Sequence, residues 1–363
     1  MAANNIFSNF IYSFVKKILE VPENKSLNIG NPGSILIVRQ HNQLGDILAG
    51  VSILRAIKET YPGCHLTLLV SPENYLGLVK NKFIDKLFIF DKKKICNPFY
   101  FVELFKLLRE SYDLVIVPVT VSISFTSNLI ARFTNSKTRI GPSYLNGKKN
   151  ESEFLFDRRV VLDWRAHPDS NVADRILDIV RPFGISTNNL LSEITFDKDD
   201  IETAEKFILG IKTNRDEILI GFHAGAGKIP NRWSLKKYIA LMEKLKDSYG
   251  AKFYLTGSSS DKEEIDFIKS KVIFNVGLFI NKKITEVAAL ISLSDLFISN
   301  DTGIMHVAGI TSTPQVSIFG PTNPFNWAPI GSNKLFIRKS EFIDDISVED
   351  VYVLCESILK RKA

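Results

Sequence analysis

Asp295-Leu-Phe-Ile-Ser-Asn-Asp-Thr-Gly-Ile-Met-His306 is the stretch on which the fold turns. Its first half, Asp295 to Ser299, is a short apolar run of the kind a buried parallel strand shows. Asn300-Asp-Thr-Gly303 then brings N-cap side chains and a glycine, and a helical pattern starts at once. A strand that turns straight into a helix leaves the first N–H groups of that helix without partners and facing outward. With the helix dipole behind them they favour an anionic ligand, and Gly303 lets one approach the backbone closely. An ordinary capped helix in an α/β core is the plainer alternative, and this stretch alone does not separate the two.

Outward from it, strand and helix signals alternate. Further strand-like runs are 218–222, 252–256, 272–274 and 315–319, and helices fit 235–249, 261–270, 285–293 and 303–310. A last helix over 347–361 closes the chain and is free to pack back on an earlier domain. The first half repeats the pattern with strands at 34–38, 65–70, 86–90 and 113–117 and helices at 46–60 and 99–110. Residues 141–157 read as a loop, 171–182 as a helix and 184–193 as a linker. The expectation is an α/β protein of two facing doubly wound, Rossmann-like domains, 1–187 and 188–363, with strand ends converging on a cleft. Residues 1–30 form an extension whose segment 5–19 has amphipathic helical spacing. That segment either packs on its own domain or lies in a membrane interface.

With 45% hydrophobic and 24% charged residues the chain is globular rather than disordered. No apolar run nears the roughly 18 residues that span a bilayer, and the start lacks signal-peptide order. Cys64, Cys96 and Cys355 have neither disulfide-framework nor metal-site spacing, so a reducing cytoplasm and no metal are expected. Residues 1–187 carry 24 Lys+Arg against 17 Asp+Glu, an excess that suits an acidic partner or simply a solvated surface. Aromatic-basic signatures for base stacking are missing, so nucleic acid is not expected.

Two loops follow the first strands of the two halves. Arg39-Gln-His-Asn-Gln-Leu-Gly-Asp46 places a carboxylate at a helix start, where it is either a cap or a general base. His223-Ala-Gly-Ala-Gly-Lys-Ile-Pro-Asn-Arg-Trp-Ser234 gives backbone access and then the cations Lys228 and Arg232. It reads as a pyrophosphate cradle without Walker A or dinucleotide-fingerprint spacing, or else as a basic flexible loop. Thr256-Gly-Ser-Ser-Ser-Asp261 ends a strand where a nucleoside could bind, and Phe319-Gly-Pro-Thr-Asn-Pro324 is a rigid turn.

Taken together, these blocks resemble glycosyltransferase family 9, the ADP-heptose:lipopolysaccharide heptosyltransferases. The resemblance runs through Ile35–Arg39 with Leu44-Gly-Asp46, Leu54–Lys58 with Tyr61-Pro62, Gly225–Trp233, Asn300–Gly303 with Met305-His306, and Phe319–Thr322. It implies a GT-B-like fold and metal-independent, inverting transfer from a nucleotide-diphosphate sugar, ADP-heptose, to a phosphorylated glycolipid such as a lipopolysaccharide core. No cofactor beyond the donor is implied. By the same resemblance Asp46 is the catalytic base, and Asp301, Thr302, Gly303 and His306 contact the donor. Lys228 and Arg232 join them, with Ser259 and Asp261 as candidates for the ribose, while Arg39 and Gln43 stand on the acceptor side. Asn231 departs from the family, which often has lysine there. A nucleotide-sugar epimerase on the same architecture and a non-catalytic nucleotide-sugar-binding protein are the alternatives.

Overall fold

The computed structural model describes residues 16–40, 44–192, 194–214 and 216–360. The chain divides into two units, the first made of residues 1–42, 52–75 and 82–189 and the second of 43–51, 76–81 and 190–363.

In the first unit the strands are β1 (Ser34–Arg39), β2 (His65–Val70), β3 (Lys86–Ile89), β4 (Ser111–Ile116), β5 (Asn135–Leu145), β6 (Lys148–Lys149) and β7 (Arg158–Leu162). Their order is β3-β2-β1-β4-β5, all parallel, with β6 antiparallel and β7 parallel to β5. Ile35, Leu36, Ile37 and Val38 of β1 are wholly buried, as a central parallel strand covered on both faces requires. Asp113 fixes the entry to β1 by accepting hydrogen bonds from the backbone N–H of Gly33 at 2.8 Å and Ser34 at 3.1 Å.

Three sequence expectations change here. The loop expected over 141–157 contains the second half of β5, whose Gly141-Pro142-Ser143 reads as a turn. Gly141 lets it pass the Phe156 ring, which lies 2.3 Å from where a Cβ would stand. The helix expected over 171–182 is one short turn, Val172–Arg175, continued by 3-10 turns through Phe183. The helix expected over 46–60 is two helices, Leu44–Ala49 and Ser52–Thr60. At the break, Gly50 and Val51 bond back only three residues, to Ile47 at 3.2 Å and Leu48 at 3.3 Å.

In the second unit the strands are β8 (Leu219–His223), β9 (Lys252–Gly257), β10 (Val276–Ile280), β11 (Leu296–Asn300), β12 (Gln315–Ile318) and β13 (Lys334–Ile337). They form one parallel sheet, β10-β9-β8-β11-β12-β13. The order reverses between β8 and β11, so loops leaving their carboxyl ends diverge and open a crevice within this unit. The strand expected over 272–274 lies later, at β10, because the preceding helix runs on to Lys271 and leaves Ile273 97% exposed. β13 and the helix Lys198–Leu209 are additions to the sequence reading.

The closing helix, Val348–Leu359, belongs to the second unit. It buries Val351, Tyr352, Cys355, Ile358 and Leu359 in the core of the second unit, beside Met242 and Leu245. Trp233 anchors the same core, donating its indole N–H to the Ile346 carbonyl at 2.9 Å and meeting Tyr238 edge-on. Among the described residues, no helix is long and apolar enough to cross a membrane.

Candidate functional site

Asn300, wholly buried at the carboxyl end of β11, organises the crevice. Its amide donates to the carbonyls of Ala224 at 2.8 Å and Gly225 at 3.3 Å. Its oxygen accepts from the Trp233 N–H at 3.2 Å and the Tyr238 hydroxyl at 2.9 Å. One side chain therefore holds both ends of the loop that leaves β8, and its own hydrogen-bonding capacity is filled.

A cavity of about 410 Å³ opens at these strand ends, with His223, Thr256, Ser258, Asp261, Thr302 and Gly303 in its wall. Thr302 is the N-cap of the helix Gly303–Gly309 in extended conformation, and its side chain makes no capping bond to that helix. Asp261 accepts from the Ser258 N–H at 2.8 Å and hydroxyl at 2.9 Å, closing a capping box. Its other oxygen sits 2.1 Å from the position of a Cβ on Gly225, so a side chain there would have to displace the carboxylate.

Other residues singled out from the sequence lie differently. Arg232 reaches the wall but is tethered, donating to the Ala226 carbonyl at 2.8 Å and to buried Glu264 at 2.6 Å. Its charge is thus largely spent on holding the loop. Lys228 is exposed and off the wall. Asp301 also lies off it, accepting from Asn231 at 2.9 Å. Burial raises the Asp301 pKa, against the pull of Thr322, Lys228 and Asn231. Asn231, the departure from the family pattern, is therefore the partner of a candidate carboxylate. Ser259 donates to Asn281 at 3.1 Å, and its neighbours Ser258 and Ser260 line the cavity instead.

Asp46 belongs to the segment 43–51, which groups with the second unit and not with residues 1–187, where it was expected. The reason is close packing on the helix Gly303–Gly309. A Cβ on Gly45 would stand 2.7 Å from Cδ2 of His306, and Leu44 shares the cavity wall with Gly303. Asp46 is 4% exposed and His306 8%. Burial pushes the His306 pKa down to about 4, and the Asp46 carboxylate opposes this without reversing it. His306 itself is not among the residues that line the cavity.

In the first unit Arg39 is buried at the carboxyl end of β1 and donates to the Thr120 hydroxyl at 3.0 Å. Gln43 lies outside the described residues, as does most of the segment 5–19. His223 and Asn300 are the residues that motif reasoning passed over. His223 has its Nδ1 within 3.0 Å of the Thr256 carbonyl, and burial lowers its pKa. The signal available for both was their place as the last residue of an apolar strand beside the switch in strand order.

The sequence profile described as glycosyltransferase family 9 (heptosyltransferase) matches residues 101–349. Lipopolysaccharide heptosyltransferase 3 of Escherichia coli is 24% identical over 308 residues, covering 80% of this chain and 85% of that protein. The lipopolysaccharide core heptosyltransferase OpsX of Haemophilus influenzae is 24% identical, with 82% of each chain covered. Among solved structures, a family 9 glycosyltransferase from Veillonella parvula superposes with a TM-score of 0.79 at 19% identity, covering 94% of this chain and all of that one. The Escherichia coli ADP-heptose lipopolysaccharide heptosyltransferase II gives 0.73 at 20% identity, covering 91% and 99%. With a profile match across most of its length and a GT-B-like pair of Rossmann-like sheets, this chain belongs to glycosyltransferase family 9 and is a glycosyltransferase.

Proposed function

We propose that the protein transfers heptose from ADP-heptose, with inversion, to a hydroxyl of a lipopolysaccharide core or a related phosphorylated glycolipid. The names of its relatives support the sugar and acceptor, and the cavity at the switch in strand order, with Thr256, Ser258, Ser260 and Asp261 in its wall, supports a nucleotide-diphosphate donor. In this reading the donor occupies that cavity and its pyrophosphate meets the backbone N–H groups of Thr302 and Gly303. Lys228 turns in to share the negative charge, without a metal ion being called on. Arg232 contributes by holding the loop in place rather than by direct contact.

Asp46 accepts the proton of the acceptor hydroxyl as its oxygen attacks the anomeric carbon. The bond from that carbon to the pyrophosphate oxygen breaks, and ADP leaves with the electron pair. His306, uncharged near neutral pH, sets the orientation of the Asp46 segment without protonating the base. Because Asp46 is 4% exposed, rearrangement of the helix Leu44–Ala49 on substrate binding is part of the proposal. The three free cysteines suit work on the cytoplasmic side.

The observation that carries the reading is that Leu44, two residues before the candidate base, shares the donor cavity wall with Gly303. Asp46→Asn is expected to lower transfer by about 10²- to 10⁴-fold while ADP still raises the melting temperature. Wild-type turnover by this variant would remove Asp46 from the chemistry. ADP-sugars should stabilise the protein more than UDP- or GDP-sugars in the same thermal assay, and the opposite ranking would reject the donor.

A further inference from the structure

The helix Pro98–Arg109 of the first unit is seated by Leu104 and Leu107, which are buried with Leu36, Val38 and Val115 of the sheet. A surface helix seated in this way ordinarily shows a polar outer face. Here the outer face is aromatic: Phe99 is 83% exposed, Phe101 51%, Val102 49% and Phe105 50%. At helical spacing Phe99, Val102, Phe105 or Lys106, and Arg109 follow one another along a single outward stripe. The turn before it adds exposed Ile95 and the exposed run Lys92-Lys-Lys94.

The charge on this face leans positive, with Asp91 capping the lysine turn at one end and Glu110 paired with Lys86 at the other. Residues 92–109 carry Lys92, Lys93, Lys94, Lys106 and Arg109 against the single acid Glu103. None of these five cations forms an ion pair among the described residues. Arg109 instead lies over the Phe105 ring, 5.2 Å from its centroid, so cation and ring share the surface.

We propose that this face docks on an anionic lipid bilayer, with the helix axis parallel to the membrane and the phenylalanine rings inserted below the headgroups. Exposed rings lose their contact with water by entering the interface, and the surrounding lysines meet lipid phosphates. A lipid surface is favoured over a protein partner by charge complementarity, since one sheet of phosphates answers all five cations whatever their rotamers. The proposal rests on residues 92–109 alone and does not depend on which acceptor the enzyme uses.

The test is sedimentation of the full chain with vesicles of phosphatidylcholine alone or containing phosphatidylglycerol. The wild type is expected to bind only the anionic vesicles and to be released by added salt. The double variant Phe99→Ser/Phe105→Ser and the triple variant Lys92→Glu/Lys93→Glu/Lys94→Glu should each lose about tenfold or more in partitioning, at an unchanged melting temperature. In parallel, Phe99→Trp should show a blue-shifted emission on anionic vesicles. Equal sedimentation of wild type and variants, or an unshifted tryptophan, would overturn the proposal. So would a wild type that ignores vesicles and self-associates through these phenylalanines, which would make the face a protein interface.

Discussion

Burial takes the His306 pKa from its ordinary 6.5 to about 4, so the folded protein holds this imidazole neutral where the unfolded chain would already protonate it. The associated stability is fully present above about pH 6.5 and is lost as the pH falls toward about 4, about 3 kcal/mol in all. Melting curves taken from about pH 7 down to about pH 4.5 should therefore fall more steeply for the wild type than for His306→Gln. Parallel curves would mean that the imidazole is more open than the packing of Gly45 against it implies. His223, whose pKa burial also lowers, adds a slope of the same sign in both proteins. Arg232 is a different kind of residue, because its partner Glu264 is only 7% exposed. Arg232→Ala leaves that carboxylate buried without its cation. A loss of about 1–2 kcal/mol is expected, discounted because the arginine is partly solvated. Urea unfolding measures it, and pairing the change with Glu264→Gln should recover most of the loss.

Lys334, the first residue of β13, caps the far end of the helix that begins at the donor cavity. Its buried ammonium donates to the carbonyls of Ala308 at 2.9 Å, Thr311 at 2.8 Å and Thr313 at 2.6 Å, while burial lowers its pKa to about 7. Lys334→Met removes three donors from buried carbonyls, each costing about 1–3 kcal/mol when left unmet. A marked fall in melting temperature and weaker ADP affinity are expected together, because one helix carries both ends. Calorimetry showing intact affinity in a destabilised variant would confine Lys334 to stability. This bond set was beyond sequence reasoning, which had no strand at 334–337 to put beside the helix. Elements with continuous apolar runs, such as β1, β2, β8 and β11, were legible because burial on both faces leaves one composition to choose. β5 was not, since Lys137, Thr138 and Arg139 give it a half-polar face, and β10 was displaced because Val272-Ile-Phe274 is as apolar as the true strand. Turn chemistry likewise brought Thr302, Gly303 and Asp261 to strand ends. It had no means of telling that Ser258 and Ser260, not Ser259, face the cavity, since that depends on which way one capping turn rolls.

At the scale of the whole molecule, the chain passes between its two units repeatedly before the final joint at 189/190. The second unit keeps residues 43–51 and 76–81 from the amino-terminal half. Lys80 in the later segment bonds to Asp197 and, at 2.8 Å, to Asp200. Asp200 is itself buried and accepts from Thr285 at 2.9 Å. A fragment of residues 190–363 would lack both Lys80 and the glycine turn packed on His306. Expressed alone it should melt below the intact chain or stay insoluble, and a fragment with full stability would show these segments to be dispensable. The packing of the Gly45 turn on His306 has a consequence for heredity. A single genetic crossover at the joint would pair one relative's Leu44-Gly-Asp46 with another's Met305-His306, two surfaces in contact that were never shaped for each other. These stretches, far apart in the gene, are therefore expected to be inherited as a matched set, and a working chimaera would need its splice sites at 43, 51, 76 and 81 as well.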